Sequence, residues 1–134
     1  MFGSSTKVAI AVLSRLAESY AAKERVSAAS IARDRGLRSP FVGKVLSSLA
    51  AAELVTSLRG PGGGFALARP PGEICFMDVV MLFERSFNRR TCFVGGGLCS
   101  DRKPCPVHGR FGSVQADLDK VLMDTTFAEF AEKK

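Results

Sequence analysis

Histidine is nearly absent from this chain: there is one, His108, in 134 residues. Without a second imidazole, the usual nucleophile–base pairs and metal-hydrolase centres cannot be assembled. Paired carboxylates are missing too, since Asp117, Asp119 and Asp124 fall on what reads as a solvated helix face. The glycine-rich run at 60–64 has no Gly-Lys-Ser/Thr after it and opens no helix, which removes a phosphate-cradling nucleotide loop. Little is left from which to build an enzyme. No uncharged apolar run approaches the ~20 residues of a membrane span, and the sequence has neither internal repeats nor low-complexity tracts. The apolar run at 8–13 is too short for a secretory core, and no small-residue cleavage site follows it. The expectation is a cytoplasmic protein with reduced thiols, no membrane partner and no small-molecule substrate.

What is present is one domain's worth of chain, 46% hydrophobic and 24% charged, enough for a single core. The net charge of +6 is unevenly placed. Residues 1–69 carry ten Lys/Arg against four acids, whereas residues 70–134 carry nine of each. All the excess positive charge therefore lies in the first half, as expected of a chain that meets a phosphate backbone.

Residues 5–22 have the apolar period of an amphipathic helix, with Ala9, Val12, Leu13, Leu16, Ala17 and Tyr20 on one face. Ser27 caps a short second helix from Ala28 to Arg35, and Gly36 supplies its left-handed stop. Ser39-Pro40 opens a third helix whose buried stripe is Val42, Val45, Leu46 and Leu49. Phe41, Lys44 and Ser48 fall on its opposite face, with Arg38 and Ser39 at its start. Two short helices about a glycine turn form a helix-turn-helix, whose second helix offers its N-terminal residues to a major groove. Gly43, in mid-helix, costs about 1 kcal/mol relative to alanine. It is either an accident of sequence or a bare position that admits the duplex closely.

Leu54–Leu58 and Phe65–Ala68 read as two strands around a glycine-rich turn, a hairpin placed as a wing. Arg59 at its tip suits a minor groove, with Gly60 beside it. A helix at 73–87 follows, in which Cys75 reads as a small buried hydrophobe. Pro106 opens a long helix with Phe111, Val114, Leu118, Val121 and Leu122 as its seam, suited to helix-to-helix dimerisation. Phe127 and Phe130 would pack back onto the core or a partner. The predicted fold class is mainly α with a small β-hairpin, a winged helix-turn-helix plus a long C-terminal dimerisation helix. The division is a DNA-binding module at 1–72 and a region at 73–134 holding the cysteine loop (about 88–108) and the dimerisation helices.

Cys92, Cys99, Cys105 and His108 stand in a C-x6-C-x5-C-x2-H run of seventeen residues, with Gly95–Gly97, Pro104 and Pro106 as spacers. Thiolate and imidazole are the donors that iron–sulfur clusters and zinc take, and glycine and proline let such a loop bend to one point. A zinc site and metal-free thiols that oxidise remain open beside a cluster.

The run from Ile31 to Gly36, Ser39-Pro-Phe-Val, the stretch Leu54-Val-Thr-Ser-Leu-Arg-Gly-Pro-Gly-Gly-Gly-Phe65 and the three-cysteine loop together resemble bacterial transcription regulators of the IscR, NsrR and RirA type. That resemblance spans nearly the whole chain. It implies a homodimer on double-stranded DNA at a pseudo-palindromic operator, with Lys7 on a phosphate. It also implies an iron–sulfur cluster on Cys92, Cys99 and Cys105, governed by iron or cluster supply, nitric oxide or redox stress. Cys105-Pro-Val-His108 looks like the arrangement in which histidine completes a [2Fe–2S] site. The [4Fe–4S] relatives use an acid near the N-terminus, and Lys7-Val8 offers none. The chain departs from IscR in the six residues between Cys92 and Cys99. It departs from many relatives in having Glu53 where they have glycine.

Overall fold

The computed structural model describes residues 2–84 and 106–131. In chain order these form α1 (Ser4–Tyr20), α2 (Ala28–Arg35), α3 (Ser39–Ala51), β1 (Val55–Leu58), β2 (Gly64–Leu67), a 3-10 turn (Pro71–Glu73), α4 (Phe76–Phe83), α5 (His108–Asp124) and α6 (Ala128–Ala131). The spine is α1. Its apolar stripe, Val8, Ala9, Val12, Leu13, Leu16 and Ala17, is buried as the periodicity predicts. Against α1 pack α2, α3, β2, α4 and α6, while α5 rests on α4.

Local chemistry accounts for α2 and α3. The Ser27 hydroxyl accepts the Ser30 N–H at 3.1 Å, and Gly36 takes φ +64° to close α2. Helix α3 starts at Ser39 with Pro40 in its first turn, but Ser39 does not cap it. Arg38 holds the extended N-cap position with no side-chain bond. Past its end, Glu53 has φ +62°, and the Leu54 N–H reaches the Leu49 carbonyl at 3.0 Å. The left-handed stop that glycine usually makes is here made by a glutamate. A side chain in that region costs on the order of 1 kcal/mol.

Strands β1 and β2 pair antiparallel, Val55 with Leu67 and Leu58 with Gly64. Val26 adds a bridge to Phe65 through hydrogen bonds of 2.9 and 2.8 Å, which ties the wing to the linker between α1 and α2. A Cβ on Gly64 would stand 2.8 Å from the Val26 carbonyl oxygen, so this approach needs glycine.

The expected helix at 73–87 is shorter, Phe76–Phe83. Ile74 and Cys75 are held extended instead, because Phe76 N–H donates to Thr125 O at 2.9 Å and Phe127 N–H to Ile74 O at 3.1 Å. Ile74 and Phe127 are fully buried, and the Phe127 ring stacks on Phe76 at 4.8 Å between centroids. Phe127 thus packs back into the core beside α1, with Phe130 against it. Cys75 is half-buried and starts α4, its N–H donating to the Asp78 carboxylate at 3.0 Å. It acts as a helix-start residue more than as a core hydrophobe. Among the described residues, no helix is long and apolar enough to cross a membrane.

Candidate nucleic-acid interface

Helix α3 buries Val42, Val45, Leu46 and Leu49 and turns its other side outward. Arg38, Ser39, Lys44 and Ser48 are all exposed on or beside that outer side. Phe41 differs from the rest of the expected set, being half-buried with its ring packed against the core. At the wing tip Arg59 and Gly60 are exposed, and Leu58 beside them is 56% exposed. Lys7 is exposed near the start of α1.

The first-half cations divide into two groups. Arg15 donates to Asp34 at 3.0 Å and to the Ser19 hydroxyl at 2.7 Å. Arg35 pairs with Glu18 at 2.9 Å and reaches the Ser14 hydroxyl at 3.3 Å, while Arg33 lies 3.7 Å from Asp34. The Arg15 guanidinium bonded to Asp34 holds that carboxyl below its ordinary range, and the charges of Arg15, Arg33 and Arg35 add to the effect. Lys7, Arg38, Lys44 and Arg59 have no hydrogen-bond or ion-pair partner for their side chains among the described residues. Two of the four acids in residues 1–69, Glu18 and Asp34, are thus engaged between α1 and α2. Unmatched positive charge stands on α3, the wing tip and the head of α1, and also at Lys23 after α1 and Arg69 after β2. Such charges keep their full attraction for a polyanion.

A contact that the sequence does not announce joins the two ends of this region. Glu84, just past α4, accepts the Gly3 N–H at 3.0 Å and also the Thr6 hydroxyl. Both bonds hold its carboxyl below the usual range, the Thr6 hydroxyl contributing most. Helix α1 has no acid in its first turn and no capping side chain of its own, and a carboxylate from elsewhere accepts the N–H of its N-cap residue. The missing cap was the only signal in the sequence, and it does not say which acid supplies it.

Cys92, Cys99 and Cys105 lie outside the described residues, and so does the side chain of His108. His108 enters as the first residue of α5. Among the described residues, no group of three His, Cys, Asp or Glu gathers into a metal site.

A family model described as Rrf2, an iron-dependent transcriptional regulator, matches residues 2–133. IscR of Cronobacter sakazakii is 28% identical over 109 residues, covering 81% of this chain and 67% of that one. The aligned stretch spans 74% of a putative HTH-type transcriptional regulator of Aquifex aeolicus and 56% of protein aau3 of Rhizobium meliloti. The solved structure of T. potens IscR superposes with a TM-score of 0.77 at 26% identity, covering 96% of this chain and 83% of that one. CymR, the global cysteine regulator of B. subtilis, superposes with a TM-score of 0.80 at 22% identity, covering 98% and 95%, a likeness of fold.

Proposed function

The chain belongs to the Rrf2 family of transcriptional regulators, and from that premise we propose that it is a homodimer reading a pseudo-palindromic operator under the control of an iron–sulfur cluster. The observation that carries the DNA-reading part is the division of charge. Cations at the start of α3 and on the wing tip are exposed and unmatched, while those between α1 and α2 are consumed by acids. Arg38, Ser39 and Lys44 meet the major groove, Ser48 follows further along the helix, Arg59 and Gly60 meet the minor groove, and Lys7 a phosphate. Phe41 supports α3 from below as much as it faces outward.

Dimerisation is supported by α5. Phe111 is 43% exposed, and Val114 and Val121 are each more than half exposed, along one face of a helix about 25 Å long. An apolar row of this kind is what a second copy would cover. Two reading heads related by a two-fold axis then place half-sites about one helical turn apart.

The donor set fits a cluster: three thiolates and one imidazole, the soft ligands that iron–sulfur centres take. Cys92, Cys99 and Cys105 would hold it, with His108 as fourth ligand, [2Fe–2S] favoured over [4Fe–4S]. Once bound, it would supply a centre responsive to iron, nitric oxide or oxidants. The chain's own residues define what such a segment joins. Its near end, Glu84, is bonded to the start of α1 beside Lys7, and its far end, His108, begins the helix assigned to dimerisation. A coupling of ~1–3 kcal/mol between the two would alter DNA affinity ~5–150-fold.

Oxygen-free purification followed by native mass spectrometry tests the reading. Two protomers with iron and acid-labile sulfide are expected, and serine at Cys92, Cys99 and Cys105 should abolish both and change promoter affinity. Zinc in a colourless protein, or thiols oxidised by peroxide with no metal, would replace the cluster and leave the DNA-reading head in place. Unaltered promoter binding by the serine variant would remove the switch.

A further inference from the structure

Between the turn that ends α1 and the hairpin lies a cleft of about 390 Å³. Small-molecule sites run from roughly 300 to 1,000 Å³, so the space admits a small metabolite. Tyr20, Ala21, Lys23, Glu24 and Arg25 line it from the turn, and Thr56, Ala66 and Leu67 from the strands. Thr56 and Ala66 are register partners, so a molecule in the cleft touches both strands of the wing at one level. Arg59 at the wing tip is three residues beyond Thr56.

The charges of the cleft define what fits it. Three consecutive ionisable residues line one wall without pairing with one another. Lys23 and Glu24 have no hydrogen-bond or ion-pair partner for their side chains among the described residues. Arg25 is half-buried and donates to the Thr56 carbonyl and hydroxyl at 3.4 Å each, long contacts from one nitrogen that leave its other donors free. Backbone bonds fix the turn, Lys23 N–H to the Tyr20 carbonyl at 3.0 Å and Glu24 N–H to the Ser19 carbonyl at 3.2 Å. A lysine and an arginine suit a carboxylate, and the glutamate suits an ammonium. Half-buried Ala66 and buried Leu67 offer apolar surface to an aliphatic group. An α-amino acid carries all three groups on one carbon. A phosphate or a dicarboxylate would instead set negative charge against Glu24.

We propose that this cleft is an effector site for an aliphatic α-amino acid, which braces the wing against the end of α1 and changes how Arg59 meets DNA. Binding in the cleft needs neither DNA nor a metal, whereas its effect on DNA rests on the reading of the hairpin as a wing.

Calorimetry on the full chain without DNA tests the site, using alanine, valine and leucine at millimolar concentration. Each is compared with the same molecule lacking its amine, which is propionate, isovalerate and isocaproate in turn. At least one amino acid should bind once per protomer, and its amine-free counterpart about tenfold more weakly, the worth of one charge-assisted hydrogen bond. Lys23 has φ +57°, so Lys23→Gly should fold and melt no lower than wild type. It should bind the amino acid about tenfold more weakly. Glu24→Gln should no longer separate the amino acid from its amine-free counterpart. The bound amino acid should change the affinity of wild type for a duplex enriched from a random library about fivefold or more, and leave that of Lys23→Gly unaltered. The proposal is overturned if none of the three amino acids binds, if Lys23→Gly binds as well as wild type, or if Glu24→Gln discriminates as before. An amino acid that binds without altering DNA affinity removes the effector role. Weaker DNA binding by Lys23→Gly with no amino acid present assigns the lysine to a phosphate and also overturns it. If wild type binds no duplex, the wing reading fails by itself, and the calorimetry still decides whether the cleft is a site.

Discussion

Helices α1 and α2 carry Lys7, Arg15, Arg33 and Arg35, and α3 with the wing carries Arg38, Lys44 and Arg59; Lys7 aside, the two sets use their charge oppositely. Arg15–Asp34 and Arg35–Glu18 join the first two helices, while Arg33 lies 3.7 Å from Asp34 within α2. Arg38, Lys44 and Arg59 meet no acid among the described residues. The same residue types are thus structural mortar a few residues before they become a binding surface. What separates the two uses is the placement of two carboxylates, not the local density of positive charge.

The comparison can be broken most severely by removing the unmatched set. Arg38, Lys44 and Arg59 changed together to alanine should lower affinity for DNA more than ~100-fold at moderate salt, with the salt slope reduced by about one unit for each phosphate left without its cation. Fluorescence anisotropy across a salt series reads both. Arg59→Ala alone should cost ~1–3 kcal/mol of binding, with the melting temperature unchanged. If Arg35→Ala weakened binding as much, the two groups would not differ and the division would be wrong. For Arg35→Ala the expected loss is about 0.5–1 kcal/mol of stability, the worth of a well-formed surface pair, with DNA affinity within twofold of wild type.

Acid sharpens the contrast. Asp34 and Glu84 have carboxyl pKa values lowered in the folded chain, Asp34 first by its bond from Arg15 and Glu84 first by the Thr6 hydroxyl. A lowered folded pKa contributes stability that is full above the unfolded value and is lost as pH falls through the folded one. The contacts that hold α1 should therefore weaken only below about pH 4, the ordinary carboxylate range. The cations of α3 and the wing have no acid partner to lose there. Glu84→Gln should remove most of its share of this acid sensitivity, at a cost of about 1 kcal/mol at neutral pH, measured by denaturant titration at several pH values.

The smallest effect is expected at Glu53, which closes α3 with φ +62°. Glu53→Gly should relieve strain and stabilise the chain by about 0.5–1 kcal/mol. It also removes one of the four negative charges of residues 1–69, so DNA affinity should rise slightly rather than fall.

The first half was largely legible because its instructions are local. Ser27 and Gly36 bracket α2 as a cap and a left-handed stop, and both roles depend on neighbours three or four residues away. The wing was legible from its glycines, the strand boundaries shifting by one residue. Three features were not legible, and each depends on distant chain. Ile74 and Cys75 are extended because Thr125 and Phe127 pair with them. Phe41 is half-buried because the core reaches it. Glu84 caps a helix eighty-one residues earlier.

By itself the sequence determined where the first three helices run to within a residue or two, where the hairpin turns, that positive charge is concentrated in the first half, and which thiols and imidazole stand close together in the chain. Those follow from propensity, capping and spacing, which act over a few residues. Only the tertiary structure decided which arginines are neutralised, that Phe41 turns toward the core, and which carboxylate holds the head of α1. Ion pairs and hydrogen bonds between side chains act across ångströms of space, and the folded packing alone sets those distances.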